Sequence, residues 1–218
     1  MSRLLVFISL AFTLALTGCA KNTPQDYTAF KQSKPRSILV LPPLNQSPDV
    51  KASHSVLSQV TFPLAEAGYY VLPVAVVEET FKHNGMTMPQ DIRGVSAAKL
   101  HQIFGADAVL YIDVTDYGTQ YQVISSETRV TATAKLADLR TGQTLWSGQA
   151  SASSNEQRSN NNGLLSMLIT AAITQVADNL MDKGHDIAEI TSNRMLSAGV
   201  PGGLLYGPYS PSYGKDRI

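Results

Sequence analysis

Cys19 is the one cysteine in a chain of 218 residues, and its surroundings say what chemistry the thiol is placed for. Before it come a lone positive charge at Arg3, an apolar run from Leu4 to Leu16, and the tetrapeptide Leu16-Thr17-Gly18-Cys19. A charged start, an apolar middle and small residues at the cut are the parts of a secretory signal. Ending on cysteine adds a thiol that can take a diacylglyceryl group. Residues 1–18 therefore read as a lipoprotein signal peptide, and Cys19 as the acylated first residue of the mature chain. The run is short for a transmembrane span, which needs about 20 apolar residues. A thiol used in this way is lost to nucleophilic catalysis. With no second cysteine, disulfides and thiolate metal sites are ruled out together.

The other residues that could do chemistry are Asp107, Asp113 and Asp116, set around one apolar run. Two carboxylates across a glycosidic bond can hydrolyse it as acid and base. A competing reading is stronger: Asp107 opens a strand, Asp116 ends it, and Asp113 faces water beside Arg129 or Lys135. His54, His83, His101 and His185 are scattered and read as solvated side chains on or near helix surfaces. No Gly-x-Ser-x-Gly elbow, His-Glu-x-x-His helix, phosphate-binding loop or dinucleotide fingerprint is present. The expectation is a non-enzyme with no cofactor, no metal and no small-molecule ligand. Lys and Arg number 17 and Asp and Glu 17, so no basic face for nucleic acid is implied.

The elements that would carry these residues form one α/β domain at 37–198, behind a lipidated tether at 19–36. Its architecture is two or three layers, a mixed β-sheet with packed helices. In the tether, Tyr27 and Phe30 are the residues able to dock back. Ser37 to Leu41 is a strand apolar on both faces, stopped by Pro42-Pro43. Val56, Leu57, Val60 and Leu64 recur at helical spacing from Ala52 to Ala67, with a break expected around Pro63 and a stop at Gly68. Tyr69 to Val74 is the second strand, with Pro73 marking its end or a sheet edge. Val76 to His83 is helical. Ser96 caps a helix from Ala97 to Phe104, with Leu100 and Ile103 facing inward and Gly105 closing it.

Ala108 to Val114 is a strand, ended by Asp116-Tyr117-Gly118. From Glu127 to Leu139 the chain alternates: Thr128, Val130, Ala132, Ala134 and Leu136 point one way, and charged or polar residues the other. Gly142 turns the chain into a partner strand from Thr144 to Ala152, with Trp146 in the core. Asn155 to Gly163 is a polar loop, Leu164 to Met181 a long apolar helix, and Ile187 to Leu196 a shorter helical piece.

Residues 199–218 form a tail rich in Gly, Pro and Tyr. Leu204, Leu205, Tyr206, Tyr209 and Tyr213 are its candidate partner-binding residues, because Tyr and Pro offer contact area at low entropic cost. The alternative is a tail that packs along its own domain or stays disordered.

The lipid-type cysteine, the ILVLPP and YYVLPV strands, GADAVLYIDV, the DLRTGQTLWSG hairpin and the GLLYGPY tail together resemble one family across nearly the whole chain. It is a family of uncharacterised bacterial lipoproteins (domain of unknown function 799). More distantly, the order of elements is similar to the periplasmic domain of CsgG, the TolB amino-terminal domain and LpoB. The resemblance implies a non-enzymatic accessory lipoprotein in an envelope assembly or secretion complex, with a CsgG-like partner. It leaves an activator of a peptidoglycan synthase as the alternative, and a carbohydrate-acting hydrolase behind both. Unlike CsgG, the chain shows no pair of long alternating strands for a barrel hairpin, so pore formation is not expected. Ala20 follows the cysteine where aspartate would hold a lipoprotein in the inner membrane, which points to the periplasmic face of the outer membrane.

Overall fold

A computed structural model describes residues 25–121, 126–156 and 183–216. Cys19, most of the polar loop and the expected helix from Leu164 to Met181 lie outside the described residues. The strands are β1 (Ser37–Val40), β2 (Leu44–Asn45), β3 (Tyr70–Val71), β4 (Ala108–Tyr121), β5 (Ser126–Asp138) and β6 (Thr144–Ser153). The helices are α1 (Thr28–Ser33), α2 (Ala52–Gln59), α3 (Thr61–Glu66), α4 (Val74–His83), α5 (Pro89–Arg93), α6 (Ala97–Phe104) and α7 (Lys183–Leu196).

The sheet runs β3-β1-β4-β5-β6, with β2 also beside β4. β1 is parallel to β3 and β4, whereas β4, β5 and β6 are antiparallel, so the sheet is mixed. β1 is apolar on both faces because both are covered. Ile38 and Val40 join one core with α1, α2, α3, α7 and the later pair Leu204 and Leu205. Leu39 joins a second core with Val77 of α4, Ile92 of α5 and Leu100 of α6. The fold is thus three-layered around β1 and β4. It thins to two layers at β5 and β6, where Thr131, Thr133, Lys135, Ser147 and Gln149 lie on the outer face. The alternation expected along β5 holds: Thr128, Val130, Ala132, Ala134 and Leu136 are all buried.

Several elements differ from expectation for identifiable reasons. The break in the helical stretch from Ala52 falls at Val60, so Pro63 sits in the first turn of α3, where a missing N–H costs nothing. The second strand shrinks to Tyr70–Val71 because Pro73 begins the turn into α4. In α6, Ser96 Oγ accepts the Lys99 amide and Gly105 closes the helix at φ 66°. Ile103, however, is 42% exposed, because Phe104 takes the inward position and meets Phe81 at 5.4 Å between ring centroids.

β4 does not stop at Asp116-Tyr117-Gly118 but continues to Tyr121, paired with β5 throughout. Thr115 is an extra residue between the pairs Val114↔Ala132 and Asp116↔Thr131. A bulge of this kind reverses which residues face inward. That is why Tyr117 is 3% exposed in the core instead of on the outer face. The β4–β5 pair is therefore longer than expected, 14 residues against 13. The residues that β5 turns outward, Arg129, Thr131, Thr133 and Lys135, are polar or charged.

Candidate functional site

The three aspartates are not brought together. Asp107 caps the start of β1: its Oδ2 accepts the Arg36 amide at 2.9 Å, the Ser37 amide at 3.2 Å and the Ser37 hydroxyl at 3.2 Å. Asp113 takes a bidentate bond from Arg93, at 2.6 and 2.8 Å, and not from Arg129 or Lys135. The short helix α5, absent from the sequence reading, is what lays Arg93 there. Lys135 instead sits over the Tyr111 ring, 5.2 Å from its centroid, while Arg93 lies 5.4 Å from it. Asp107 and Asp113 are six residues apart along one strand direction, about 20 Å. Glycosidase carboxylates stand about 5–9.5 Å apart. Both aspartates hold the fold together, and Asp116 lies within the ladder.

Two histidines are largely solvated, His54 at 74% and His83 at 77% side-chain exposure. His185 is not. Its Nδ1 is 3.0 Å from Ser55 Oγ and its Nε2 2.7 Å from Gln59 Nε2, and the buried Tyr117 hydroxyl donates to the same Ser55 oxygen. This chain of polar contacts ties α7 to α2 and to the bulged end of β4. Among the described residues no group of three or more His, Cys, Asp or Glu could hold a metal ion.

The C-terminal segment is where the structure concentrates unusual construction. Three aromatic donors from distant parts of the chain hold its backbone. Trp146 Nε1 donates to the Gly202 carbonyl at 2.9 Å, the Tyr27 hydroxyl to that of Gly203 at 2.6 Å, and the Tyr69 hydroxyl to that of Leu205 at 2.5 Å. Buried tyrosine and tryptophan bring area but must satisfy one polar atom. Here the tail's carbonyls satisfy all three. Burial, with Asp216 and Tyr213 adding to it, pushes the Tyr69 hydroxyl far above the ordinary phenol range, which keeps it a donor. Tyr27 is shifted the same way, by burial and then by Asp216.

This seating divides the five candidate residues. Leu204 (1% exposed) and Leu205 (6%) lie inside the main core and serve the fold. Tyr206 is half-buried, its ring so close to Gly199 that a Cβ there would fall 2.5 Å from the tyrosine oxygen. Tyr209 (59%) and Tyr213 (46%) point outward. The Arg36 guanidinium lies 5.7 Å from the Tyr209 ring centroid and donates to its hydroxyl at 3.3 Å. Tyr27 and Phe30, read as part of the tether, are buried in the same core through α1.

Between α1 and the tail runs a groove of about 280 Å³, lined by Phe30, Tyr69, Leu205, Tyr206, Pro208 and Tyr213, with Lys31 and Lys34 on its α1 side. The groove was not legible in advance, because its walls come from opposite ends of the chain.

A mixed, open β-sheet with packed helices and a C-terminal segment seated on its core define the class: a mixed α/β domain. The chain belongs to the lipoprotein family whose model, described as "Putative lipoprotein GNA1162-like", matches residues 25–209. It is 51% identical over 205 residues to a lipoprotein of Neisseria meningitidis serogroup B (strain ATCC BAA-335 / MC58), covering 93% of this chain and 95% of that protein. The crystal structure of lipoprotein GNA1162 from Neisseria meningitidis is similar at 56% identity and a TM-score of 0.55, over 66% of this chain and 100% of that one. The LpoB C-terminal domain from Salmonella enterica has 21% identity and a TM-score of 0.41, over 54% of this chain and 82% of that one.

Proposed function

We propose that this lipoprotein is anchored through acylated Cys19 at the periplasmic face of the outer membrane. There it acts, without catalysis, as an accessory component of an envelope assembly or secretion complex. Its partner is a protein, first a CsgG-like lipoprotein, bound on the surface displayed by Tyr206, Tyr209 and Tyr213, with Leu204 and Leu205 holding that surface from within.

One observation carries the reading: the tail is fixed by three aromatic donors while two of its tyrosines stay exposed. Rigid presentation of exposed tyrosines lowers the ordering cost of binding and supplies contact area of the kind that dominates interfaces. The placement of Asp107 and Asp113 in structural bonds supports the absence of hydrolysis.

Crosslinking in intact cells tests it, comparing the full chain with a Tyr209→Ala/Tyr213→Ala variant. Point substitutions are required, because truncation after Ala198 would strip Leu204 and Leu205 from the core. Recovery of a CsgG-like lipoprotein that the variant loses supports the reading. Recovery of a peptidoglycan synthase in its place would overturn it in favour of the activator alternative.

A further inference from the structure

We infer that the groove between α1 and the C-terminal segment takes an acyl chain of an anionic phospholipid, with Lys31 and Lys34 meeting the lipid phosphate. The inference rests on the reading that the chain is anchored at a membrane. It assigns the groove sides of Tyr206 and Tyr213 to the lipid and leaves their outward sides, with Tyr209, to the protein partner.

Three features converge on this occupant. The groove walls are apolar and aromatic, the lining that a hydrocarbon chain displaces water from most favourably. On its α1 side Lys31 and Lys34 are exposed, and neither makes an ion pair among the described residues. The one acid in the lining, Asp216, accepts the Tyr206 amide at 2.7 Å, so the lining holds two ammonium groups against one carboxylate. An apolar slot beside two free ammonium groups matches an amphiphile with a negative head. It matches a neutral peptide or a bare anion less well.

The third feature is reach. Tyr27, buried beside the groove, follows Cys19 by only eight residues. Their contour cannot exceed about 28 Å. An acylated Cys19 therefore keeps Tyr27, the residue that opens α1, within that distance of the headgroups. Tyrosine and lysine side chains are those that settle at the headgroup level.

The test uses the full acylated chain purified from membranes and reconstituted into phosphatidylethanolamine vesicles. These carry a phosphatidylglycerol probe with a photoreactive acyl chain, or the matching phosphatidylcholine probe. The expected result is phosphatidylglycerol labelling on the peptide containing Tyr206 and Tyr213. It should fall by more than about tenfold in a Lys31→Gln/Lys34→Gly variant, since each surface lysine contributes roughly fivefold to an anionic membrane. Lys34 has φ 47°, so glycine there does not threaten the fold. Labelling that is equal for both probes and unmoved by the substitutions would overturn the inference and leave the groove to a protein partner. Intact mass separates the two readings. No labelling of the unsubstituted chain, when it is acylated at Cys19, overturns the groove alone, and labelling of an unsubstituted chain that carries no acyl group overturns the anchor alone.

Discussion

Gly207 lies in backbone contact with Gly68: a Cβ on Gly207 would come within 2.3 Å of the Gly68 carbonyl oxygen. The converse also holds, since a Cβ on Gly68 would meet the Ser210 amide nitrogen at 2.4 Å. Around this crossing the Gly207 amide donates to Ala67 at 2.8 Å and the Tyr209 amide to Gly68 at 3.0 Å. Two residues without side chains let the tail lie directly on the turn after α3. The tyrosines on either side inherit their direction from that contact.

Gly207→Ala should therefore unseat the tail. Overpacking at a fixed backbone contact costs about 1–3 kcal/mol. The expected result is a lower urea midpoint, with new protease cleavage between Gly199 and Lys215. An unchanged midpoint and cleavage pattern would mean that the tail yields freely and does not present a fixed surface.

Asp138 gives the fold an acid limit. Burial alone would raise its carboxyl, but the Ser33 hydroxyl, Arg140 and the amides of Arg140 and Thr141 hold it down to about 2, well below the usual carboxylate range. A depressed carboxylate stabilises the fold fully above its unfolded pKa. That contribution fades as pH falls from about 4 through about 2, and the shift corresponds to roughly 2 kcal/mol. Stability measured across this window should fall more steeply in the native chain than in Asp138→Asn, which starts lower and loses less. Because Ser33 is the last residue of α1, the same acid range should loosen α1 from the β5–β6 turn.

How much of this could be read from the chain alone depends on range. β5 was legible because period two with one polar face has no other physical reading. α6 was legible because Ser96 and Gly105 mark its ends. α5 was not, since five residues cannot display a helical period, and with it went the true partner of Asp113. The length of β4 was hidden because Asp116-Tyr117-Gly118 looks like a stop, whereas the bulge at Thr115 lets the strand continue. At the site, the Leu204-Leu205 pair signalled a need for apolar cover, and the cover is the protein's own core. That Tyr27, Tyr69 and Trp146 converge on three carbonyls of one segment depends on contacts spanning 56 to 176 residues, beyond the reach of any local pattern.

Asp113→Asn separates a structural aspartate from a catalytic one. Its pair with Arg93 is partly exposed, 29% and 23% at the two side chains, so its loss should cost about 1 kcal/mol or less. The variant should fold and still capture the protein partner. A glycan-cleaving activity present in the native chain and abolished here would restore the hydrolase reading.

Lys34→Gly should raise stability by about 0.5–1 kcal/mol, because Lys34 closes α1 in the left-handed region where a Cβ is unfavourable. A thermal melt checks it. A lower midpoint would show that the lysine stem packs on the groove wall enough to outweigh the backbone cost.

The most direct measurement places a photocrosslinking amino acid at position 209 of the full chain in living cells, with position 149 on the open sheet face as control. The account predicts one protein product from position 209, a CsgG-like lipoprotein, absent when Gly207→Ala is added. A product from position 149 with none from position 209 would contradict it and move the docking surface to the outer face of β5 and β6.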